Sequence, residues 1–169
     1  MALLNMLAIN SGSSSLKASL FMANGERRNF RYAYSGNDYI HSHAKAFIAL
    51  LNDLDDIRPT LIAHRFVHGG RLSDAARLID ADERARLHSI AYLAPLHMPS
   101  NLLGVDLCAK NFNCPQIACF DTAFHATLPE IAYRLPIPQA LKNQFYSQRN
   151  ASIGSNFRHF IKQNNRYSN

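Results

Sequence analysis

The stretch LAINSGSSSLKASLF near the start constrains the fold most, because two apolar segments there flank a glycine and four serines. The segment LLNMLAIN predicts a buried strand and SLKASLFMA predicts a second one. Asn24-Gly25 is a strong hairpin signal, since both residues tolerate a positive φ, and RRNFRYAYS alternates well enough for a third strand. We therefore predict that the chain opens as a three-stranded antiparallel meander.

Helical and strand-like patterns follow the meander. Residues 38–52 place an apolar residue at every third or fourth position, which predicts a helix. TLIAHRFV predicts a buried strand, and Asp80 with Glu83 resembles a capping box that opens ADERARLHSIAYL as a helix. Ser100 is predicted to cap a helix through NLLGVDLCAKNF, and QIACFD to form the next strand before a loop with short helical pieces. The order β-β-β-α-β-α-α-β predicts an α/β domain in which the meander joins parallel strands with flanking helices, as in ribonuclease-H-like folds.

Charge is distributed unevenly along the 169 residues, whose net charge is +6. All 12 acidic residues precede position 139, and residues 1–138 carry 13 basic against 12 acidic residues. Residues 139–169 contain no acid and five bases, which are Lys142, Arg149, Arg158, Lys162 and Arg166. A basic protein can bind nucleic acid, but here only this tail carries the basic excess. We therefore keep nucleic-acid binding as the weakest of the functional alternatives.

The three cysteines are odd in number and lack the paired C-x-x-C spacing of a zinc site. Reduced thiols, typical of a cytoplasmic protein, are the expectation. No apolar run approaches the roughly 20 residues of a membrane span. The start MALLNML also lacks the basic region of a signal peptide. These features predict a cytoplasmic location and no membrane partner.

The serine-rich turn has the composition of an anion site. Gly12 permits a tight turn in which backbone N–H groups can converge on an anion. Ser13, Ser15 and Lys17 are spaced by two, so on an extended backbone they share a face. Two hydroxyl groups and an ammonium group suit phosphate oxygens. The glycine spacing and the following strand exclude a Walker A loop, and a solvated hairpin turn is the alternative.

Two charged residues occupy informative strand positions. Arg65 lies between apolar residues in a predicted strand, and a buried arginine is costly unless it meets an anion. It is therefore either half of a structural ion pair or a clamp for a carboxylate or phosphate. Asp121 ends a predicted buried strand, where ligands bind in open α/β sheets. A helix cap, a magnesium ligand and a residue that orients a nucleophile are the open roles for its carboxylate.

Four segments occur in order along the chain: INSGSSSLK, HRFVHGG, LAPLHMPSN and FDTAFHATLP. Together they resemble the N-terminal domain of the acetate kinase family, which includes propionate and butyrate kinases, over about residues 6–138. The resemblance implies the ribonuclease-H-like fold of the actin-like ATPase superfamily. It also implies reversible phosphoryl transfer between ATP and a short-chain carboxylate, acetate first, which yields an acyl phosphate.

The resemblance also implies roles for individual residues. The residues expected to face the ATP phosphates are Asn10, Ser13, Ser15 and Lys17, with Asn10 also near Mg²⁺. Arg65 is expected to hold the substrate carboxylate and the transferring phosphoryl group, and Asp121 to act as the catalytic carboxylate associated with Mg²⁺. Val67 and Leu96 match an apolar pocket for the acyl chain, and His97 matches a histidine near the active site. The family's homodimer is implied as well, although most of its interface is expected in the family's second domain.

The sequence departs from the family pattern in two ways. Met98 stands in LAPLHMP where the family has asparagine. After LPIP the chain continues with a divergent basic segment, residues 139–169, in place of the family's catalytic histidine and second domain. We interpret this tail as an out-of-frame continuation, or alternatively as a short extra helix. The expectation is a truncated enzyme with at most trace activity alone, and the alternative is a non-enzymatic phosphate- or nucleotide-binding half-domain.

Overall fold

The computed structural model describes residues 5–34, 39–70, 72 and 74–125. Within these residues, three α-helices and two short 3₁₀ helices accompany six strands. The strands are β1 (Met6–Ser11), β2 (Ser15–Phe21), β3 (Arg27–Ala33), β4 (Leu61–Phe66), β5 (Ala76–Leu78) and β6 (Gln116–Phe120). The helices are α1 (Tyr39–Asp53), α2 (Ala81–Ser89) and α3 (Met98–Asn111), with 3₁₀ helices at Ala91–Leu93 and Asp121–His125.

The six strands form one mixed sheet in the order β3-β2-β1-β4-β6-β5. Strands β1, β2 and β3 pair antiparallel, and Gly25 in their second connection has φ +88°. Strand β4 pairs parallel with β1, and β6 pairs parallel with β4. This arrangement confirms the predicted α/β fold, in which a meander joins parallel strands.

The core lies on one face of the sheet. Buried side chains of β1, β2 and β4 pack there against α1 and α3, in a cluster that includes Leu7, Leu16, Ile62, Phe47 and Cys108. A second cluster on the same side joins α2 and α3 to β4 and β6 through Phe66, Leu87, Met98, Val105 and Phe120. All three described helices therefore pack on the same side of the sheet, and the alternate side chains of the strands face away from them.

Several element boundaries differ from the sequence expectation. Strand β5 was not predicted, because three exposed residues at a sheet edge carry no readable alternation. Helix α2 ends at Ser89 instead of running to residue 93. Helix α3 begins at Met98, so Ser100 lies inside it and donates its hydroxyl hydrogen to the His97 carbonyl oxygen. The prediction that Ser100 caps this helix was therefore wrong.

The predicted capping box of α2 forms only in part. The Asp80 carboxylate accepts the Glu83 N–H at 2.8 Å, as the motif requires. The Glu83 carboxylate instead accepts hydrogen bonds from Arg77 and Arg86. Burial alone would raise the pKa of Glu83, but these two guanidinium groups lower it below its usual range. Glu83 thus joins α2 to the edge strand β5.

Met98 is fully buried against Phe66 and Leu102 in the second core cluster, so an apolar side chain suits this position. The three cysteines form no disulfide, and burial raises the pKa of the Cys108 thiol to about 12. None of the described helices is long and apolar enough to cross a membrane.

The predicted loop after residue 125, the boundary at 138 and the tail lie outside the described residues.

Candidate functional site

Three polar residues meet where three neighbouring strands end. Asn10 lies near the end of β1, Arg65 near the end of β4, and Asp121 directly after β6. The Arg65 guanidinium donates to Asn10 Oδ1 at 2.9 Å and to Asp121 Oδ2 at 2.6 Å, and its Nε lies 3.1 Å from both Asp121 oxygens. Because β1, β4 and β6 run parallel, their carboxyl ends share one edge of the sheet.

The arginine is more accessible than the sequence indicated. Its side chain is 44% exposed and that of Asp121 is 25% exposed. The expectation that Arg65 is buried was therefore wrong, because the face of the sheet that carries it lies opposite the described helices. Arg65 does form an ion pair, and the pair is open to solvent. A ligand that approaches this edge can reach the guanidinium.

Lys17 joins the same face from β2. It pairs directly with Asn10 across the β1–β2 ladder, so both side chains lie on the side that carries Arg65. Lys17 and the preceding turn residue Ser13 are exposed, whereas Ser15 is buried. The turn itself is closed by a hydrogen bond from the Gly12 N–H to the Ser15 carbonyl oxygen at 3.1 Å.

Only part of the expected serine alignment is present. Ser15 and Lys17 lie two residues apart on β2, as predicted, but Ser13 belongs to the turn that precedes the strand. Ser13 lies outside the strand because the chain needs residues 12–14 to reverse its direction between β1 and β2. The Ser13 hydroxyl is therefore positioned by the turn and not by the pleat of the strand.

An open depression of about 330 Å³ lies beside these residues. Its lining includes the side chains of Asn10, Lys17 and Arg65, together with Cys119, Ala8 and Ala63. The two alanines leave space between the charged side chains, because their methyl groups barely rise above the sheet. Burial raises the pKa of Cys119.

The segment after β4 contacts the residues around Asp121, a connection that sequence reasoning missed. The Gly69 N–H donates to Thr122 Oγ1 at 3.0 Å. A side chain on residue 69 would place its Cβ 2.8 Å from Phe120 Cγ, so this close approach requires glycine. Gly70 has φ +74° and donates to His68 Nδ1 at 2.8 Å. The double glycine of HRFVHGG was the available signal, since it marks a close approach of the backbone.

The residues assigned to the acyl pocket and its neighbourhood lie elsewhere on this end of the molecule. Val67 follows β4 and is half-buried, and Leu96 is 74% exposed in the segment before α3. Neither lines the depression beside Arg65. His97 is half-buried at the start of α3. The roles assigned to Val67, Leu96 and His97 stay predictions.

The sequence of this chain is similar to those of known proteins. Residues 37–168 match the model of the acetokinase family. The acetate kinase of Sulfurovum sp. is 31% identical over 185 residues, covering 95% of this chain and 47% of that protein. Acetate kinase 1 of Neisseria meningitidis serogroup A is 34% identical over 179 residues, covering 90% and 45% respectively.

Solved structures give the same result. The acetate kinase of Entamoeba histolytica has a TM-score of 0.62 and 27% identity, covering 83% of this chain and 40% of that one. The propionate kinase of Francisella tularensis has a TM-score of 0.60 and 28% identity, covering 85% and 43%. The fold of this chain is therefore that of the acetate and propionate kinases, which is of the actin-like ATPase type.

The chain belongs to the acetokinase family, which confirms the resemblance found in the sequence. It spans about half the length of the relatives that it matches. The family match extends to residue 168, beyond the position where the four motifs end. The division at residue 138 and the out-of-frame origin of the tail stay predictions.

Proposed function

We propose that this chain provides the phosphate- and carboxylate-binding half of an acetate kinase, which converts ATP and acetate to ADP and acetyl phosphate. The observation that carries the proposal is the meeting of Asn10, Arg65 and Asp121 at one sheet edge, with Lys17 beside them. Phosphoryl transfer needs positioning and charge neutralisation more than covalent chemistry. Two cationic side chains, one amide and one carboxylate supply both.

Arg65 is the group that we assign to the substrate carboxylate and to the transferring phosphoryl group. A guanidinium has five N–H donors. In the described contacts Nε–H and one N–H on each terminal nitrogen are engaged with Asn10 and Asp121, which leaves two N–H groups. The planar fork matches a carboxylate or phosphate. Asp121 thus orients the arginine without using all its donors.

The phosphates of ATP are assigned to the turn and to β2. The Lys17 ammonium group is exposed on the face of Arg65, and the Ser13 hydroxyl is exposed in the turn. Ser15 contributes its hydroxyl from a buried position at the start of β2. Together they place donors and positive charge where a polyphosphate would run along the end of the meander.

The residues present fit a magnesium ion that is carried by the nucleotide. Asn10 and Asp121 offer amide and carboxylate oxygens, the donors that Mg²⁺ prefers. Among residues 5–34, 39–70, 72 and 74–125, no group of three or more His, Cys, Asp or Glu could hold a metal ion by itself. Mg²⁺ usually keeps several waters and binds through substrate phosphates and one or two carboxylates. When bound, it would neutralise phosphate charge.

Binding of Mg-ATP tests the phosphate assignment. We expect a dissociation constant in the micromolar range for the full chain, measured by calorimetry. Lys17→Ala should weaken binding about tenfold or more, because it removes a charge-assisted contact. Lys45→Ala is the matched control, since Lys45 is also exposed but lies on α1. Millimolar binding that ignores Lys17→Ala would contradict the assignment.

Formation of acyl phosphate by the chain tests the proposed phosphoryl transfer. Catalysis of phosphoryl transfer needs a water-poor cleft, and Arg65 is 44% exposed here. We therefore expect only traces of acyl phosphate, trapped with hydroxylamine, from acetate, propionate or butyrate. Turnover at rates typical of kinases, about 1–100 s⁻¹, would contradict this expectation.

The second candidate is a non-enzymatic nucleotide-binding half-domain, and the openness of Arg65 is the observation behind it. This candidate predicts binding of Mg-ATP with no acyl phosphate at all, whereas the first predicts a trace that requires both ATP and the carboxylate. The choice among acetate, propionate and butyrate depends on the residues that surround the acyl chain, for which Val67 and Leu96 are proposed. We expect the protein to act in the cytoplasm with reduced thiols.

A further inference from the structure

Beneath the serine-rich turn, on the helix side of the sheet, lies a buried polar contact that the proposed reaction does not use. Ser11 is the last residue of β1 and is 5% exposed. Its Oγ lies 2.8 Å from Nδ1 of His43 on α1, which is fully buried, and 3.4 Å from Oη of Tyr34. The Tyr34 and His43 rings are in contact, with centroids 3.9 Å apart. The end of β1 is thus tied to α1.

The same residue is also tied to α3. The Asn101 side chain, 4% exposed, donates its Nδ2–H to the Ser11 carbonyl oxygen at 3.3 Å. Its Oδ1 is buried and has no hydrogen-bond partner within the described part of the chain. Leaving an amide oxygen buried and unpaired is costly. An apolar residue of this size would avoid that cost, but it could not donate a hydrogen bond to Ser11.

This network consists of neutral groups. Burial, and to a smaller extent the nearby His97, lower the pKa of His43 to about 4. The imidazole is therefore uncharged at neutral pH, and the Ser11 contact is an ordinary hydrogen bond between neutral partners. Directional bonds of this kind fix geometry more than they attract a distant ligand.

Ser11 stands between two residues of the candidate site. Asn10 precedes it and faces the other side of the sheet, where its Oδ1 accepts from Arg65. Gly12 follows it and closes the turn through its bond to Ser15. Because successive strand residues point to opposite faces, holding Ser11 from the helix side sets the direction of Asn10 and the start of the turn.

We propose that Ser11, His43 and Asn101 are positioning residues, which hold the end of β1 so that Asn10 and the Gly12 turn keep the geometry for binding phosphate. This inference rests on the proposed function. It predicts that loss of the network loosens the turn without unfolding the domain. A purely structural role predicts the reverse, with lower stability and an unchanged turn.

Asn101→Leu separates the two roles, because it removes the donor to Ser11 together with the unpaired oxygen. We expect an unchanged or higher melting temperature. Losing a hydrogen bond of this kind should speed exchange of the Gly12 amide hydrogen about three- to tenfold and weaken Mg-ATP binding by a similar factor. Asn111→Ala is the matched control, since it also removes an amide-to-carbonyl bond in α3, but far from the turn.

Two further results keep the test decisive. Ser11→Ala removes only the hydroxyl group and carries the same expectation for Gly12 exchange, so it decides the question if Asn101→Leu does not fold. Gly12 exchange equal to that of the unaltered chain in both variants would overturn the inference. If the unaltered chain binds no Mg-ATP, the proposed function fails, and Gly12 exchange still decides whether the network orders the turn.

Discussion

At the scale of single residues, chemistry at the site depends on partners that are distant in sequence. Arg65 is separated by 55 residues from Asn10 and by 56 from Asp121, yet it bonds to both. Half-exposed ion pairs stabilise proteins little, typically by about 0–1 kcal/mol. The Arg65–Asp121 contact is therefore better explained by the orientation of the guanidinium than by a gain in folding free energy.

A second residue-scale feature is a buried, neutral histidine. His64 on β4 lies with its Nε2 2.7 Å from Gln116 Oε1, and burial lowers its pKa to about 4 from 6.5. Between these two values the unfolded chain binds more protons than the folded one. By linkage, stability is fully present above pH 6.5 and decreases as the pH falls toward 4.

We predict that His64→Gln reduces this pH dependence. The difference in urea midpoint between pH 7.5 and pH 5 should be smaller in the variant than in the unaltered chain, although buried His43 still contributes. His88→Gln is the control, because His88 is exposed. An undiminished difference in His64→Gln would show that the pKa of this imidazole is not lowered by burial.

At the scale of elements, a glycine determines how α3 meets α1. A Cβ on residue 104 would lie 2.3 Å from Cζ of Phe47, which is fully buried. The two helices can therefore approach closely only because Gly104 has no side chain. This contact brings α3, and with it Asn101, up to the end of β1.

We predict that Gly104→Ala lowers the free energy of unfolding by about 1–3 kcal/mol, the usual cost of overpacking a core. The helix-propensity gain of alanine, about 1 kcal/mol, offsets only part of the clash. Denaturant unfolding measures the change. Phe47→Leu combined with Gly104→Ala should recover part of the loss, and a double variant that is simply additive would contradict the proposed contact.

At the scale of the whole molecule, the basic excess and the candidate site lie in different parts of the sequence. The candidate site lies between residues 10 and 121, whereas the basic excess lies in residues 139–169. Binding of nucleic acid through phosphate contacts weakens steeply with salt. The phosphotransferase proposal and the nucleic-acid alternative therefore depend on different parts of the chain.

Replacing the five basic residues of the tail by glutamine distinguishes the phosphotransferase proposal from nucleic-acid binding. The replacement lowers the net charge from +6 to +1. We predict that affinity for Mg-ATP changes by less than about threefold, because the replacement leaves Asn10, Ser13, Ser15, Lys17 and Arg65 unchanged. Any salt-dependent binding of an oligonucleotide should disappear. A large loss of Mg-ATP affinity would mean that the tail contributes to the nucleotide site.

Local patterns were sufficient for the strands and helices that present a regular face to the core. The Asn24-Gly25 hairpin and the bounds of α1 depend on backbone and burial preferences within a few residues, so they were predicted closely. The apolar face predicted for α1 was only partly right, because Ile40 and Ile48 are exposed. Strand β5 and the start of α3 were not. Their formation depends on pairing with β6 and on packing of Met98 against β4, which no local window contains.

The sequence by itself determined the order of the elements other than β5, the family, and which polar residues stand at strand ends, because these depend on periodicity and on motif spacing. The tertiary structure alone decided which polar residues meet. It placed Arg65 on an open face, joined it to Asn10 and Asp121, and tied Ser11 to His43 and Asn101. Parallel pairing and helix packing bring together residues up to 90 positions apart, and those contacts have no local signature.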